Sequence, residues 1–261
     1  MKEETVKESR WKEIEGDDPK PLSSHLKELR KRLIVVIVVL VVSFLICMNY
    51  APDFINWFTD MGTKFGYEYV FIAPQELLMV TITAALAGAV IITFPVAAVE
   101  LYQFAKPGLE KKEQRAFKFA MFFGSICFVI GVAFAWKISI PFMLNFLISF
   151  TNVTVVTASI SIQEFMSFVG TVLLIFGIIF EMPLVCSVLA MLGILKPAFL
   201  IKGRKIAIVL IFLIAAIITP PDIASQIMVA VPMVILYQIS IYLTKIFALR
   251  HEKKQAEAEA A

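Results

Sequence analysis

Two kinds of residue in this chain are placed to do chemistry. In HLKELRKRL, His25 to Leu33, a single carboxylate, Glu28, sits among Lys27, Arg30, Lys31 and Arg32 at the mouth of a long apolar run. The stretch ELYQFAKPGLEKKEQR, Glu100 to Arg115, again mixes carboxylates with cations. Glu181 is the other kind, near the middle of an otherwise uncharged stretch from Phe165 to Leu195. A charge at that depth costs about 3 kcal/mol on insertion scales, so Glu181 should face protein or water, or carry a proton. No HExxH, GxSxG, P-loop or dinucleotide glycine pattern occurs, and both histidines, His25 and His251, lie outside the apolar stretches. Cys47, Cys127 and Cys186 fall inside apolar stretches without CxxC or metal-ligand spacing and read as packing residues. Hydrolytic or ATP-driven chemistry has no visible machinery; neither an enzyme, a metal nor a cofactor is expected. Two classes stay open: a transporter or channel using Glu181 as an ion or proton site, and a membrane-embedded receptor or scaffold for a peptide. A transporter would be expected to show further intramembrane polar sites and matching broken helices in two halves. Only the stretch around Glu181 is interrupted by a charge.

The elements that hold these residues are set by composition. With 59% hydrophobic and 17% charged residues and a mean hydropathy of +0.84, the chain cannot keep its apolar surface out of water as a soluble globule. A hydrocarbon core of about 30 Å takes roughly 20 helical residues. The apolar stretches therefore predict an all-α integral membrane protein with six spans, approximately 33–52, 77–99, 119–137, 165–195, 206–219 and 223–247. These form one membrane domain, 21–248, between a polar tail, 1–20, and a C-terminal tail, 249–261. Lys and Arg divide 22 to 2 between the two sides, which by the positive-inside rule makes both termini cytoplasmic. The net charge of +3 follows from that topology and requires no nucleic-acid partner.

Leu22, Leu26, Leu29 and Leu33 recur at helical spacing, so one apolar stripe runs into the first span, with Ser23 or Ser24 as a cap. His25, Glu28 and Arg32 stack on the opposite face. Read alone, this is an interfacial helix whose cations meet anionic lipid head groups, with Glu28 and Arg32 as an i,i+4 pair. The uncharged stretch 138–163 is not a seventh span, since crossing there would move Lys196, Lys202, Arg204 and Lys205 outside. It reads as an extended external loop, with PFMLNFLISF lying along the interface as a short helix. Phe165 to Leu195, 31 residues, is too long for a straight crossing, and Pro183 supplies a bend close to Glu181. Ile206 to Thr219 is only 14 residues, and the turn TPPD leaves almost no loop before the last span.

PLSSHLKELRKRL, FIAPQE (Phe71 to Glu76), FAKPGLEKKEQR, FGIIFEMP (Phe176 to Pro183) and TPPDIASQ (Thr219 to Gln226) carry a resemblance in their order and spacing. From about Pro21 to Phe247 the chain resembles the TatC family, the multispanning core of the twin-arginine protein translocase. The resemblance implies a concave, glove-like arrangement of six helices in the prokaryotic cytoplasmic membrane. It implies a receptor that takes Arg-Arg signal peptides of folded precursors at the cytoplasmic face, with export driven by the proton-motive force. Its partners would be those peptides, single-span TatA- and TatB-type subunits, other TatC copies and membrane lipid. Glu28 and Glu113 would be the recognition carboxylates, with Leu29, Arg30, Phe104, Pro107 and Arg115 around them. Glu181 and Pro183 would form the intramembrane site where a partner helix docks, and Pro220, Asp222 and Gln226 a structural turn. The chemistry agrees, because a carboxylate accepts two parallel N–H bonds from a guanidinium, which lysine cannot reproduce. The neighbouring cations would repel generic basic segments.

Overall fold

The computed structural model describes the backbone of residues 22–108, 111–149, 158–219 and 222–259; the side chains of 22–24, 111–113, 116, 158 and 250–259 are outside the description. The expected tail 1–20 and Pro220 lie outside the described residues.

The first helix, α1, runs from Leu22 to Thr63, 42 residues. At 1.5 Å per residue it is about 63 Å long, twice the hydrocarbon thickness, so the apolar run 33–52 is the middle of a longer rod. Gly66, with φ of +89° in the left-handed region where a Cβ is disfavoured, reverses the chain into β1, Tyr67–Val70. Helix α2, Glu76–Ala105, returns to the N-terminal face and closes in a 3₁₀ turn, Lys106–Gly108. Helix α3, Lys111–Phe134, passes through a π-helical turn, Ala135–Ser139, into α4, Ile140–Ser149. After β2, Ala158–Ser161, come α5, Ile162–Phe180, and α6, Met182–Met191. The short α7, Pro197–Lys202, precedes α8, Arg204–Ile218, and α9, Ile223–Glu259.

Among the described residues five rods are long and apolar enough to cross a membrane, within His25–Thr63, Glu76–Ala105, Phe117–Ser149, Ile162–Met191 and Ile223–Leu249. The sixth apolar helix, α8, has 15 residues and spans about 22 Å, as its short apolar run predicts. One segment differs from the sequence expectation. Helix α4 does not lie on the surface but extends α3, because Ile140, Met143 and Leu144 are buried in the core. Beyond the last apolar rod, which ends at Leu249, the backbone of the C-terminal segment stays helical to Glu259, through Glu, Lys, Gln and Ala, all strong helix formers.

Helix α1 lies along α2; α2 packs on α3 and α5, and α9 packs on α6 and α8. The core centres on α5, where Phe165, Met166, Val169, Val172 and Phe176 are buried. Leu33, Ile37, Val41 and Leu45 of α1 and Ile206, Val209, Leu213 and Ile217 of α8 point outward, the apolar exterior that lipid tails solvate.

Between α3 and α5, small residues set the approach. A Cβ on Gly131 would stand 2.6 Å from the carbonyl oxygen of Phe176, and one on Gly177 would stand 2.6 Å from the ring of Phe128. Backbone cannot rotate away as a side chain can, so Gly131→Ala must part the two helices. Overpacking of this kind costs about 1–3 kcal/mol, a clear fall in the thermal midpoint of the purified protein in detergent. Gly170→Ala is the control, since its Cβ would meet Ala87 and Thr83 at an ordinary 3.8 Å. Equal midpoints for the two variants would show that the α3–α5 contact does not limit stability.

On the face opposite the N-terminus, β1 and β2 form a two-stranded parallel ladder, with Tyr67 opposite Ala158 and Val70 opposite Ser161. The buried Glu76 fastens its edge, as Oε2 accepts from the Ile72 N–H (3.2 Å) and from the Ser161 hydroxyl (3.2 Å). The Tyr67 hydroxyl donates to the carbonyl of Leu144 at 3.2 Å, and burial pushes this phenol's pKa up. At the α8–α9 turn, Asp222 Oδ1 accepts from the Ser225 N–H at 2.6 Å, an N-cap that starts α9. Gln226 donates to the carbonyl of Phe212 at 3.0 Å and ties α9 back to α8.

Candidate functional site

The start of α1 and the end of α2 meet at the N-terminal face. Glu28 and Arg32 are one helical turn apart on α1, and the guanidinium reaches across to α2. Arg32 Nη2 donates to Glu28 Oε1 at 2.6 Å, while Nη1 donates to Glu100 Oε2 at 3.1 Å and to Gln103 Oε1 at 2.9 Å. The charged groups are partly shielded, with side-chain exposures of 20% for Arg32, 26% for Glu28 and 17% for Glu100. Ion pairs at this depth are stronger than exposed ones and still feel salt.

Beside this cluster lies a cavity of about 420 Å³ lined by Glu28, Arg32, Tyr102, Gln103, Lys106, Pro107 and Gln114. The 3₁₀ turn gives it a corner, since Pro107 cannot extend α2 and Gln114 donates to the carbonyl of Lys106 at 3.2 Å. Aromatic contacts brace both sides. The His25 ring stacks on Phe104 with centroids 4.4 Å apart, joining α1 to α2, and Tyr102 stacks on Phe117 of α3 at 5.9 Å. The pocket thus offers carboxylate and amide oxygens beside aromatic faces, with Lys106 at its margin, a combination suited to a guanidinium.

The residues singled out from sequence are distributed unevenly around this cavity. Glu28 and Pro107 line it, and Phe104 supports it through His25. Leu29 and Arg30 are on exposed positions of α1, and Arg115 is exposed in the first turns of α3 beside Gln114. Glu113 is in the first turn of α3, and its side chain lies outside the described residues. The sequence reading missed the joint role of Arg32, Glu100 and Gln103. The one available signal was a carboxylate at the cation-rich end of the second apolar stretch, where a partner from another helix is needed.

Glu181 stands apart from this cavity. It forms the break between α5 and α6, with its carbonyl accepting from the N–H groups of Leu184 (3.0 Å) and Val185 (2.9 Å). The bend expected from Pro183 thus falls at Glu181 itself. Oε1 of its carboxylate is buried and has no partner among the described residues. A Cβ on Gly124 would come within 2.8 Å of Oε2, so α3 makes room for the carboxylate by lacking a side chain there. Among the described residues no group of His, Cys, Asp and Glu is arranged to hold a metal ion.

Comparison with known proteins relates this architecture to one family. Residues 24–232 match the family model for the Sec-independent protein translocase protein (TatC). The TatC protein of Helicobacter pylori J99 is 38% identical over 224 residues, covering 86% of this chain and 88% of that one. The TatC protein of Aquifex aeolicus is 37% identical over 244 residues, covering 91% of this chain and 100% of that one. Among solved structures, a crystal structure of the twin arginine translocase receptor TatC superposes with a TM-score of 0.78 at 34% identity, covering 85% of this chain and 99% of that one.

Proposed function

This chain belongs to the TatC family of Sec-independent protein translocases, and on that footing we propose that its N-terminal face receives the Arg-Arg segment of twin-arginine signal peptides. The observation that carries this reading is the partly shielded oxygen cluster of Glu28, Glu100 and Gln103, beside a cavity open to that face. A guanidinium is already the group that these oxygens hold. Glu113, from the first turn of α3, is the second recognition carboxylate of the proposal. Glu181 serves a later step: a polar group on a docking single-span subunit of the TatA or TatB type supplies the partner that its Oε1 lacks among the described residues. Both faces of that exchange are buried in the bilayer, and the proton-motive force drives transport.

Photo-crosslinking from positions 28 and 113 to otherwise identical Arg-Arg and Lys-Lys precursors tests the receptor reading. Crosslinks confined to the Arg-Arg precursor are expected; equal labelling of both precursors would reject the reading. In this reading the face lies in the cytoplasm of a prokaryotic cell, with both termini, an orientation supported by the Lys and Arg division of 22 to 2. Single cysteines at positions 112 and 154 should therefore behave oppositely toward an impermeant thiol reagent in intact cells. Labelling at 154 and protection at 112 is the expected result, and the reverse pattern overturns the topology.

A further inference from the structure

Arg32 occupies the oxygen that the incoming arginine needs. Its Nη2 is 2.6 Å from Glu28 Oε1, yet the hold is incomplete, because Arg32 Nε is buried without a partner among the described residues. A guanidinium binds a carboxylate best through two parallel N–H bonds, and Arg32 gives Glu28 only one of its terminal nitrogens. The other terminal nitrogen is already held elsewhere, by Glu100 Oε2 at 3.1 Å and Gln103 Oε1 at 2.9 Å. Arg32 therefore has a second seat on α2, and losing Glu28 would not leave its charge without a partner.

We propose that Arg32 is an internal occupant of the Glu28 site, displaced onto Glu100 and Gln103 when a precursor arginine binds, and that this exchange sets the discrimination between arginine and lysine. The proposal rests on the reading of Glu28 as a recognition carboxylate. An arriving arginine can offer Glu28 a two-bond fork where Arg32 gives it one N–H bond, while Arg32 keeps Glu100 and Gln103. An arriving lysine offers a single ammonium for a single bond and gains nothing over the resident guanidinium. The site thus rejects lysine by competition as well as by shape. Glu100 is the positioning residue that takes up the displaced group.

The test uses the full-length protein in lipid nanodiscs and two signal peptides differing only in Arg-Arg or Lys-Lys. Arg32→Gln removes the competitor, so the Lys-Lys peptide should bind about two- to five-fold tighter, the scale of a partly exposed ion pair, while the Arg-Arg peptide gains less. Glu100→Gln keeps the competitor and removes its alternative seat, so both peptides should bind more weakly. In the double variant the Glu100→Gln effect should vanish. Lys27→Gln, an exposed change of the same charge, should shift both peptides equally and so measures the general electrostatic effect. If the cluster merely clamps α1 to α2, Arg32→Gln and Glu100→Gln will weaken both peptides alike, and the proposal fails. If Glu28→Gln itself leaves Arg-Arg binding unchanged, the underlying receptor reading fails, and this proposal with it. If Glu28→Gln weakens binding but Arg32→Gln leaves the Arg-to-Lys ratio at the wild-type value, the receptor reading stands and the internal occupant is rejected.

Discussion

Replacing Glu28 with Gln lowers affinity for an Arg-Arg signal peptide by roughly ten- to a hundred-fold, the scale of one charge-assisted hydrogen bond. Gln keeps the size of the side chain and an acceptor oxygen, so the change removes charge and the second acceptor while leaving the start of α1 in place. The fold does not depend on this residue, because α1 is held along α2 over most of its length and braced by the His25–Phe104 stack. Equilibrium binding in nanodiscs measures the loss, with a thermal midpoint as the folding control. High salt should narrow the difference between wild type and variant, since the site is only partly shielded. Glu113→Gln should lose a similar amount. Unchanged binding in the Glu28→Gln, Glu113→Gln double variant would return Glu28 to an ordinary i,i+4 pair with Arg32.

Replacing Glu181 with Ala should reduce transport to background while leaving Arg-Arg peptide binding within about two-fold of wild type, since it lies at the α5–α6 break and the Glu28 cluster is built from α1 and α2. The residue forms the α5–α6 break and its Oε1 has no partner among the described residues, so its removal relieves a burial cost that offsets the loss of the carboxylate's bond to the backbone of Phe128. Stability should therefore stay close to wild type, and an unchanged thermal midpoint would show that loss of transport does not come from unfolding. Glu181→Gln separates two mechanisms. If polarity toward a partner helix is what matters, Gln retains much of the transport, because an amide still donates and accepts. If Gln fails as completely as Ala, a titrating carboxylate is required and the proton-coupled transporter reading gains support. Loss of initial peptide binding in Glu181→Ala, with Glu28 and Glu113 intact, would sink the division of labour between the two sites.

The parts of this structure that were legible in sequence are those fixed by local chemistry. The apolar run 33–52 had to be helical, because unpaired backbone cannot remain in hydrocarbon. Pro183 required a bend within a turn of Glu181, and Asp222 before Ile223 carried a capping signal that the Ser225 N–H fulfils. What could not be read depends on which helices are neighbours. Arg32 and Glu100 are 68 positions apart, and nothing at either end identifies the other, so the sequence offered only the nearer partner, Glu28. The same holds for Glu76, whose motif was visible but whose bond to Ser161, 85 positions on, was not. Helix ends were blurred for another reason. Apolar content marks the hydrocarbon boundary, whereas α1 continues to Thr63 with Asp53, Asn56 and Asp60 interleaved among apolar residues, a mixture that ends the apolar run without ending the helix.

The parallel ladder on the far face also orders events in time. Its strands are interrupted by α2, α3 and α4, so β1 leaves the ribosome long before β2 exists to pair with it. Tyr67–Val70 must wait with open edge groups, and Glu76 without the Ser161 hydroxyl, until two rods, α2 and the joined α3–α4, have been inserted. Pairing of such distant segments is slow because the loop entropy comes before the reward. Closure of this small sheet is therefore a late step that follows correct threading of the preceding helices. A chain in which one of them failed to cross would deliver β2 to the wrong side of the membrane and leave the ladder unmade.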